Sequence, residues 1–466
     1  MRPNQKDEAF RQYALQAHPA RLLLTVCGPL AIYQAFRQLF TILDTMMAAH
    51  VSADAVSSIA VLAQITLMIQ ALGTGLAVGG SIQISASYGM GDYNMVRKRT
   101  STIYLLAVCL SLLLSLLLIP FAVPFLRLLK TPEPLIEVGA GYFRVSMLEL
   151  LVSFFNTVYI AVERSRGHSK QIMTLNMAVI GIKLGLSALF IYVLDCGVIM
   201  IAVATLISQL FLLGYALIRM PRDEGAFRVS LRAADLHRAT VGPIMMLSYP
   251  VAAEKMLFAA GKVVINSMAG VYGPLTAGAL GVSNNIGGLT TNWHAGMLDG
   301  ASALISQNRG AKAYGRTRKI FWWLMLVNVL IGLVGLIVVS FCLDQIAAVF
   351  AQSKQQFDEG FRLMIVDIHR WEMLGYITLG VHSAVNALLL GYGMGKSALV
   401  LNMARIFIFR IPVLLALQRW SGLGYEAVGV TMMVSNISTG VISILAAIPV
   451  LRRIRQKEQE EPKEAL

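Results

Sequence analysis

The sequence predicts an all-α integral membrane protein: twelve transmembrane helices in two pseudo-twofold-related lobes of six. Three observations lead there. Charge-free apolar runs are long: Thr100 to Leu126 is 27 residues without a charge and Ala427 to Leu451 is 25. A bilayer core of about 30 Å takes about 20 helical residues, and backbone polar groups in lipid must pair within their own segment, so such runs are helices. Cationic segments alternate with poorly charged ones. Finally, the chain repeats itself. Residues 75–98 laid on 296–319 match at nine of 24 positions, among them Gly75/Gly296, Gly79/Gly300, Tyr93/Tyr314 and Arg97/Arg318. Residues 167–178 laid on 393–404 match at six of twelve. The offsets, 221 and 226, define one duplicated unit with small insertions.

A polar segment, 1–20, comes first and is expected in the cytoplasm. Spans follow at about 21–47, 53–88, 100–126, 136–162, 171–194 and 198–219, making an N-terminal lobe of 21–219. The longest and most polar connection, 220–240, is the expected linker. Spans at 241–270, 276–308, 320–342, 360–390, 397–418 and 425–451 make the C-terminal lobe of 241–451, and 452–466 is a cationic tail. Arg97, Lys98 and Arg99 follow span two; Arg164, Arg166 and Lys170 follow span four; Arg309 to Lys319 follow span eight. Cytoplasmic loops carry the excess of Lys and Arg, so both termini are expected in the cytoplasm. Six spans per copy is even, so both copies cross in the same sense, related by an axis along the membrane normal. Spans two and eight are interrupted by Gly73, Gly75, Gly79 and Gly80 and by Gly287, Gly288, Gly296 and Gly300. Close helix packing and bending during transport are both open readings of these glycines.

Charged residues are 14% of the chain and mean hydropathy is +0.66, against about 25% charge in soluble domains. The net charge is +14, and 26 of the 39 Lys and Arg lie in segments that alternate with poorly charged ones, which fits an anionic lipid surface and argues against a nucleic-acid partner. Cys27, Cys109, Cys196 and Cys342 lack metal-ligand spacing and read as small apolar residues. There is no phosphate-binding Gly-x-x-x-x-Gly-Lys-Ser/Thr loop and no catalytic triad pattern. The chain is therefore not read as an enzyme. No metal and no cofactor are expected, and an ion gradient supplies the energy.

The order of Asp44-Thr45 at the end of span one, Gly75-x-x-x-Gly79, Gly89-Met90-Gly91-Asp92-Tyr93, Ala204 to Gln209 in span six, Pro250-x-x-x-Glu254 and the second basic loop Gly310 to Lys319 resembles the multidrug and toxic compound extrusion (MATE) family. The resemblance covers nearly the whole chain. It implies a V-shaped pair of six-helix lobes. It also implies export of drug-like organic, often cationic, compounds in exchange for protons or sodium ions, with Asp44 as a cation-binding residue. The family pattern places Asn and Asp at positions held here by Lys183 and Ser187, which favours protons over sodium.

Charges within lipid are costly and mark function by default. Lys183 is expected to pair with Asp44, either as a coupling element or as a structural bridge. Glu254 and Lys262, eight residues apart, share one broad face of span seven and are candidates for the ion-coupling or substrate site. Asp299 stands where the first copy has Val78. His382 reads either as a proton shuttle or as a packed, satisfied histidine. Arg405 and Arg410 in span eleven are expected to meet acids such as Glu254 or Asp299. Arg144 and Arg370 recur at the repeat offset and are read as structural charges, with Asp367/Arg370 and His369/Glu372 as local pairs. The expected partners are small organic substrates, a coupling cation and the lipid bilayer of the cell membrane, with the chain as a monomer. The alternative function is a flippase for lipid-linked saccharides, which the cations of spans five, seven, ten and eleven favour.

Overall fold

The structure, a computed structural model, describes residues 5–51, 53–128, 133–196, 199–222, 225–351 and 358–460, with side chains at 42, 44–61, 63, 133–135 and 137–138 outside the description. Among the described residues there is no strand. A short helix α1 (Gln5–Gln16) precedes the long ones. These are α2 (Pro19–Val51), α3 (Ala53–Met90), α4 (Tyr93–Leu118, continued by the short α5, Ala122–Leu128), α6 (Glu133–Ser165), α7 (Ser169–Ala188) and α8 (Ile199–Arg219). The second series is α9 (Arg238–Ala269), α10 (Pro274–Gly310), α11 (Tyr314–Ala351), α12 (Glu359–Glu372) with α13 (Tyr376–Gly391), α14 (Gly395–Met403) with α15 (Ile411–Trp420), and α16 (Glu426–Glu460). Each of the twelve predicted spans coincides with one rod. Rods such as α2, α6, α10 and α11 run past both predicted bounds, because the hydropathy signal ends at the lipid boundary whereas the helix does not. The tenth is broken by a 3₁₀ turn at Met373–Gly375 and the eleventh by a π-helical turn at Ala404–Arg410.

The helices pack as two compact units: one of Met1–Gln16 with Leu39–Met256, the other of Ala17–Gln38 with Leu257–Leu466. Thus α2 and α9, the first rods of the two copies, each contribute to both units. Inside the first unit, the repeated glycines of α3 receive α9: a methyl at Gly75 would lie 2.6 Å from Ala252 Cβ, and one at Gly79 would lie 2.7 Å from the Ser248 nitrogen. Inside the second unit, the matching glycines of α10 receive α2, Gly296 against Ala31 and Gly300 against Cys27. Ala252 and Ala31, like Ser248 and Cys27, stand at the same 221-residue offset as the glycines they meet. These glycines therefore serve close approach: α3 and α10 run unbroken through them.

In the first unit, α3, α4, α6 and α8 enclose Tyr88, Ile103, Val158, Tyr159 and Leu212, and a second cluster joins Leu62, Phe143 and Phe154. In the second unit, α10 to α13 and α16 enclose Ile286, Leu343, Ile368, Tyr376 and Met432. Large apolar residues face outward, such as Leu113 and Leu116 on α4 and Phe341 on α11, as a lipid-facing belt requires. The basic turns repeat as well: Gly167 and Gly393 have φ of 80° and 76°, a backbone region open to glycine at no steric cost. Helix α1 closes the base of the first unit. Asp7 is buried against Arg166 at 3.3 Å, and Arg11 donates to the Gly89 carbonyl at 3.1 Å.

Candidate functional site

In the first unit, Glu149 lies on α6 with 6% of its surface exposed. Its Oε2 accepts from Gln70 Nε2 of α3 at 3.3 Å, Ser153 also donates to it, and Lys183 of α7 is the cation that acts on it. A carboxylate at this depth is tolerable only with such partners. Glu149 is absent from the sequence-derived candidates, although an acid in the middle of the span at 136–162 is the same kind of signal as Lys183. The Asp44 side chain lies outside the described residues, so the expected Asp44–Lys183 pair is not described. Two helical turns further along α6, Asn156 donates to Gln209 Oε1 of α8 at 2.8 Å. Glu254 on α9 is half-buried, with Lys255 as the charge acting on it.

The second unit holds a denser cluster. Helix α9 brings Lys262, the π-turn brings Arg405 and Arg410, and α12 brings Glu372. In a regular α-helix, residues five apart stand about 140° apart on the helix circumference. The wider i→i+5 winding brings Arg405 and Arg410 nearly into line. Both then donate to a single acceptor, Asn436 Oδ1 of α16, at 2.9 and 3.2 Å, and Arg410 Nε donates to Ser435 Oγ at 3.1 Å. Arg410 is 3% exposed. The Phe258 ring, one turn before Lys262, has Lys262 Nζ and Arg405 Cζ each 5.5 Å from its centre, within cation–π range. Glu372 is the acid acting on all three cations.

Glu372 is itself held in a chain of hydrogen bonds. Ser283 of α10 donates to Glu372 and meets His369 Nδ1 at 2.8 Å, and His369 Nε2 meets the Tyr376 hydroxyl at 2.7 Å. Both ring nitrogens of His369 are thus engaged, Nδ1 with Ser283 and Nε2 with Tyr376. The expected His369/Glu372 pair is thus present, at 3.6 Å and bridged by the serine.

Other expectations come out differently. Arg405 and Arg410 do not meet Glu254 or Asp299. Glu254 belongs to the other packing unit, and Asp299 accepts from Gln34 of α2 at 3.5 Å. Asp367 does not pair with Arg370, because the Tyr425 hydroxyl donates to it at 2.8 Å. Arg144 and Arg370 are both exposed. His382 is buried, with Nδ1 against Ser443 Oγ at 2.8 Å and Nε2 against Asn402 Oδ1 at 3.1 Å, which is the geometry of a packed, satisfied histidine.

A duplicated set of membrane-length helices with ionic groups buried among them defines a polytopic membrane transport protein. The MatE family model matches residues 29–189 and 250–415, and the chain belongs to the MATE family, whose members are transporters and not enzymes. It is 22% identical over 386 residues, 81% of either chain, to the probable multidrug resistance protein YoeA of Bacillus subtilis (strain 168). It is 21% identical over 372 residues, 79% of this chain and 80% of the other, to the multidrug export protein MepA of Staphylococcus aureus (strain NCTC 8325 / PS 47). Among solved structures, an outward-facing multidrug resistance MATE transporter of the MOP superfamily superposes with a TM-score of 0.91 at 17% identity, covering 98% of this chain and 100% of that one. A MOP superfamily transporter from Pyrococcus furiosus, described as having a binding pocket of reverse polarity that suggests a different function, superposes with a TM-score of 0.90 at 17% identity over the same shares. These likenesses establish the fold of twelve membrane helices in two lobes.

Proposed function

We propose that the protein is an antiporter of the cell membrane that exports drug-like organic compounds in exchange for protons. It works as a monomer, with both termini in the cytoplasm and with lobes at 21–219 and 241–451. The relatives named for multidrug resistance and export support the cargo. One observation supports the coupling ion: Glu149, buried between α6 and α3 where Gln70 donates to it, has Lys183 as the cation acting on it. A resident cation already meets the electrostatic need that sodium would fill, whereas a proton on Glu149 releases Lys183 from its counter-charge. A proton is therefore the ion that switches this pair between two charge states. Half-buried Glu254, with Asp44 on α2, is the counterpart for substrates that carry positive charge.

The test is efflux of ethidium from proteoliposomes under an imposed proton gradient and, separately, a sodium gradient. The expected result is proton-driven efflux that falls at least about tenfold in Glu149→Gln, one step of about 1.4 kcal/mol in the driving interaction. Efflux driven by sodium alone, or by protons equally well in the variant, overturns the reading.

A further inference from the structure

The cluster in the second unit departs from what burial in a membrane protein normally allows. Each cation held within the bilayer costs several kcal/mol unless a counter-charge compensates it. Lys262, Arg405 and Arg410 face one acid, Glu372, which Ser283 and His369 also engage. The hydrogen-bond acceptors of the two arginines are neutral: the Asn436 amide and the Ser435 hydroxyl. Neutral acceptors fix a guanidinium in space and leave its charge intact. A purely structural role would be met by carboxylates, or by apolar side chains of similar volume. Arg405 Nε, buried, donates to no atom of the described residues. Lys262, by contrast, carries exposed surface although it stands in the field of both arginines, so it is the member of the cluster that a ligand reaches first.

We propose that Lys262, Arg405 and Arg410, with the Phe258 ring between two of them, form a substrate subsite for the oxyanion of an aromatic or lipid-borne organic acid: a carboxylate, sulfonate or phosphate. The arginine fork recognises a planar or tetrahedral oxyanion, the exposed ammonium closes on it, and Phe258 offers an apolar face to the body that carries it. Asn436 is a positioning residue, holding both guanidinium groups in register through one oxygen. The π-winding of Ala404–Arg410 is the backbone device that makes the register possible, as such turns do at other functional sites. This subsite deepens the export reading and rests on it, naming the substrate class as organic anions, including zwitterions, which a site built from carboxylates alone would repel.

The test is equilibrium binding to the purified full chain in nanodiscs, read by fluorescence anisotropy, with fluorescein as the aromatic dianion and ethidium as the aromatic cation. Lys262→Gln is the first variant, because Lys262 makes no hydrogen bond among the described residues. Its fluorescein Kd is expected to rise about tenfold or more, the size of one charge-assisted contact, while its ethidium Kd falls. Arg405→Lys, which keeps the charge and loses the fork, is expected to weaken fluorescein less than Lys262→Gln does. Opposed movement of the two affinities is not what a loosened fold gives. Affinities that fall together, or fluorescein binding that does not move, overturn the proposal. Competition separates the sources: displacement by benzoate identifies a soluble acid, displacement by farnesyl diphosphate a lipid-borne phosphate, and displacement by neither counts against an oxyanion site. Binding needs no gradient, so loss of proton-driven efflux leaves this measurement intact, and the reverse also holds.

Discussion

A single methyl group at Gly296 is predicted to destabilise the protein, while the same methyl at Gly214 is predicted to stabilise it. A Cβ at Gly296 would lie 2.3 Å from Ala31 Cα, 2.5 Å from Ala31 N and 2.7 Å from the Leu30 carbonyl carbon. Carbon atoms rest about 3.5–4.0 Å apart, so α2 and α10 must separate by about 1 Å. All three contacts are main-chain atoms, so no rotamer relieves them, and Ala31→Gly does not rescue the variant. Overpacking of this kind costs about 3 kcal/mol. Alanine returns about 1 kcal/mol of helix propensity, for a net loss of about 2 kcal/mol. At Gly214 of α8 nothing lies within 4 Å, so only the propensity gain of about 1 kcal/mol remains. For units of this size, 1 kcal/mol moves Tm by about 2–4 °C. Thermal unfolding in detergent, followed by tryptophan fluorescence, should therefore show Gly296→Ala melting about 4–8 °C below wild type and Gly214→Ala above it. If Gly296→Ala melts with wild type, the contact between α2 and α10 is not what the repeated glycine serves.

Two further outcomes follow from single residues. Lys312 adopts φ of 62° where the first copy has Gly91 at 78°. Since the left-handed region costs a side chain about 1–2 kcal/mol, less the entropy glycine loses on folding, Lys312→Gly should raise Tm by a few degrees in the same melt. Asp235, in the linker, accepts from the His237 amide at 3.0 Å and the Thr240 hydroxyl at 2.9 Å, with Lys98 at 3.2 Å; these donors, the backbone amide foremost, lower its pKa to about 2. A carboxyl depressed in the folded state lends stability above its unfolded value, near 3.9, and loses it as pH falls through the folded value. Pepsin cleavage of the linker in wild type, relative to Asp235→Asn, should therefore rise as pH drops from 4 to 2; a ratio flat across that window refutes the assignment.

The twelve rods were legible because membrane burial leaves one solution for an apolar run, and the repeat was legible because its glycines are dictated by contact distance. The charges Lys262, Arg405 and Arg410 were legible one at a time, by the rule that intramembrane charge is expensive. Their assembly was not. A helical wheel at 3.6 residues per turn sends Arg405 and Arg410 to different faces, and the π-turn that aligns them is set by packing against α16. Glu149 was missed because Lys183 already had an expected partner in Asp44. Asp367 was assigned to Arg370 by local spacing, yet the tyrosine that takes it is 58 residues away, a distance that no i,i+3 rule reaches.

The duplication also shows how scaffold and chemistry came apart. What both copies share is backbone: the glycine contacts 221 residues apart, and Gly167 and Gly393 in the same left-handed conformation. What they do not share is the set of ionic groups at the two candidate sites. At the 226-residue offset, Glu149 faces Gly375 and Lys183 faces Phe409, while Arg405, Arg410 and Glu372 correspond to Val179, Leu184 and Ser146. Had these ionic groups served the architecture, the symmetric scaffold would place them in both copies, because the same helices meet in the same way. Each instead occurs once, and each lies at a place where the other copy accepts an apolar, small or uncharged residue. The cost of burying them is therefore borne for a task that differs between the two units. In the first unit, Glu149 stands in the field of Lys183, an arrangement that one proton can switch. In the second, three cations stand in the field of one acid, with the two arginines resting on neutral acceptors, an arrangement that a proton switches poorly and an organic anion satisfies.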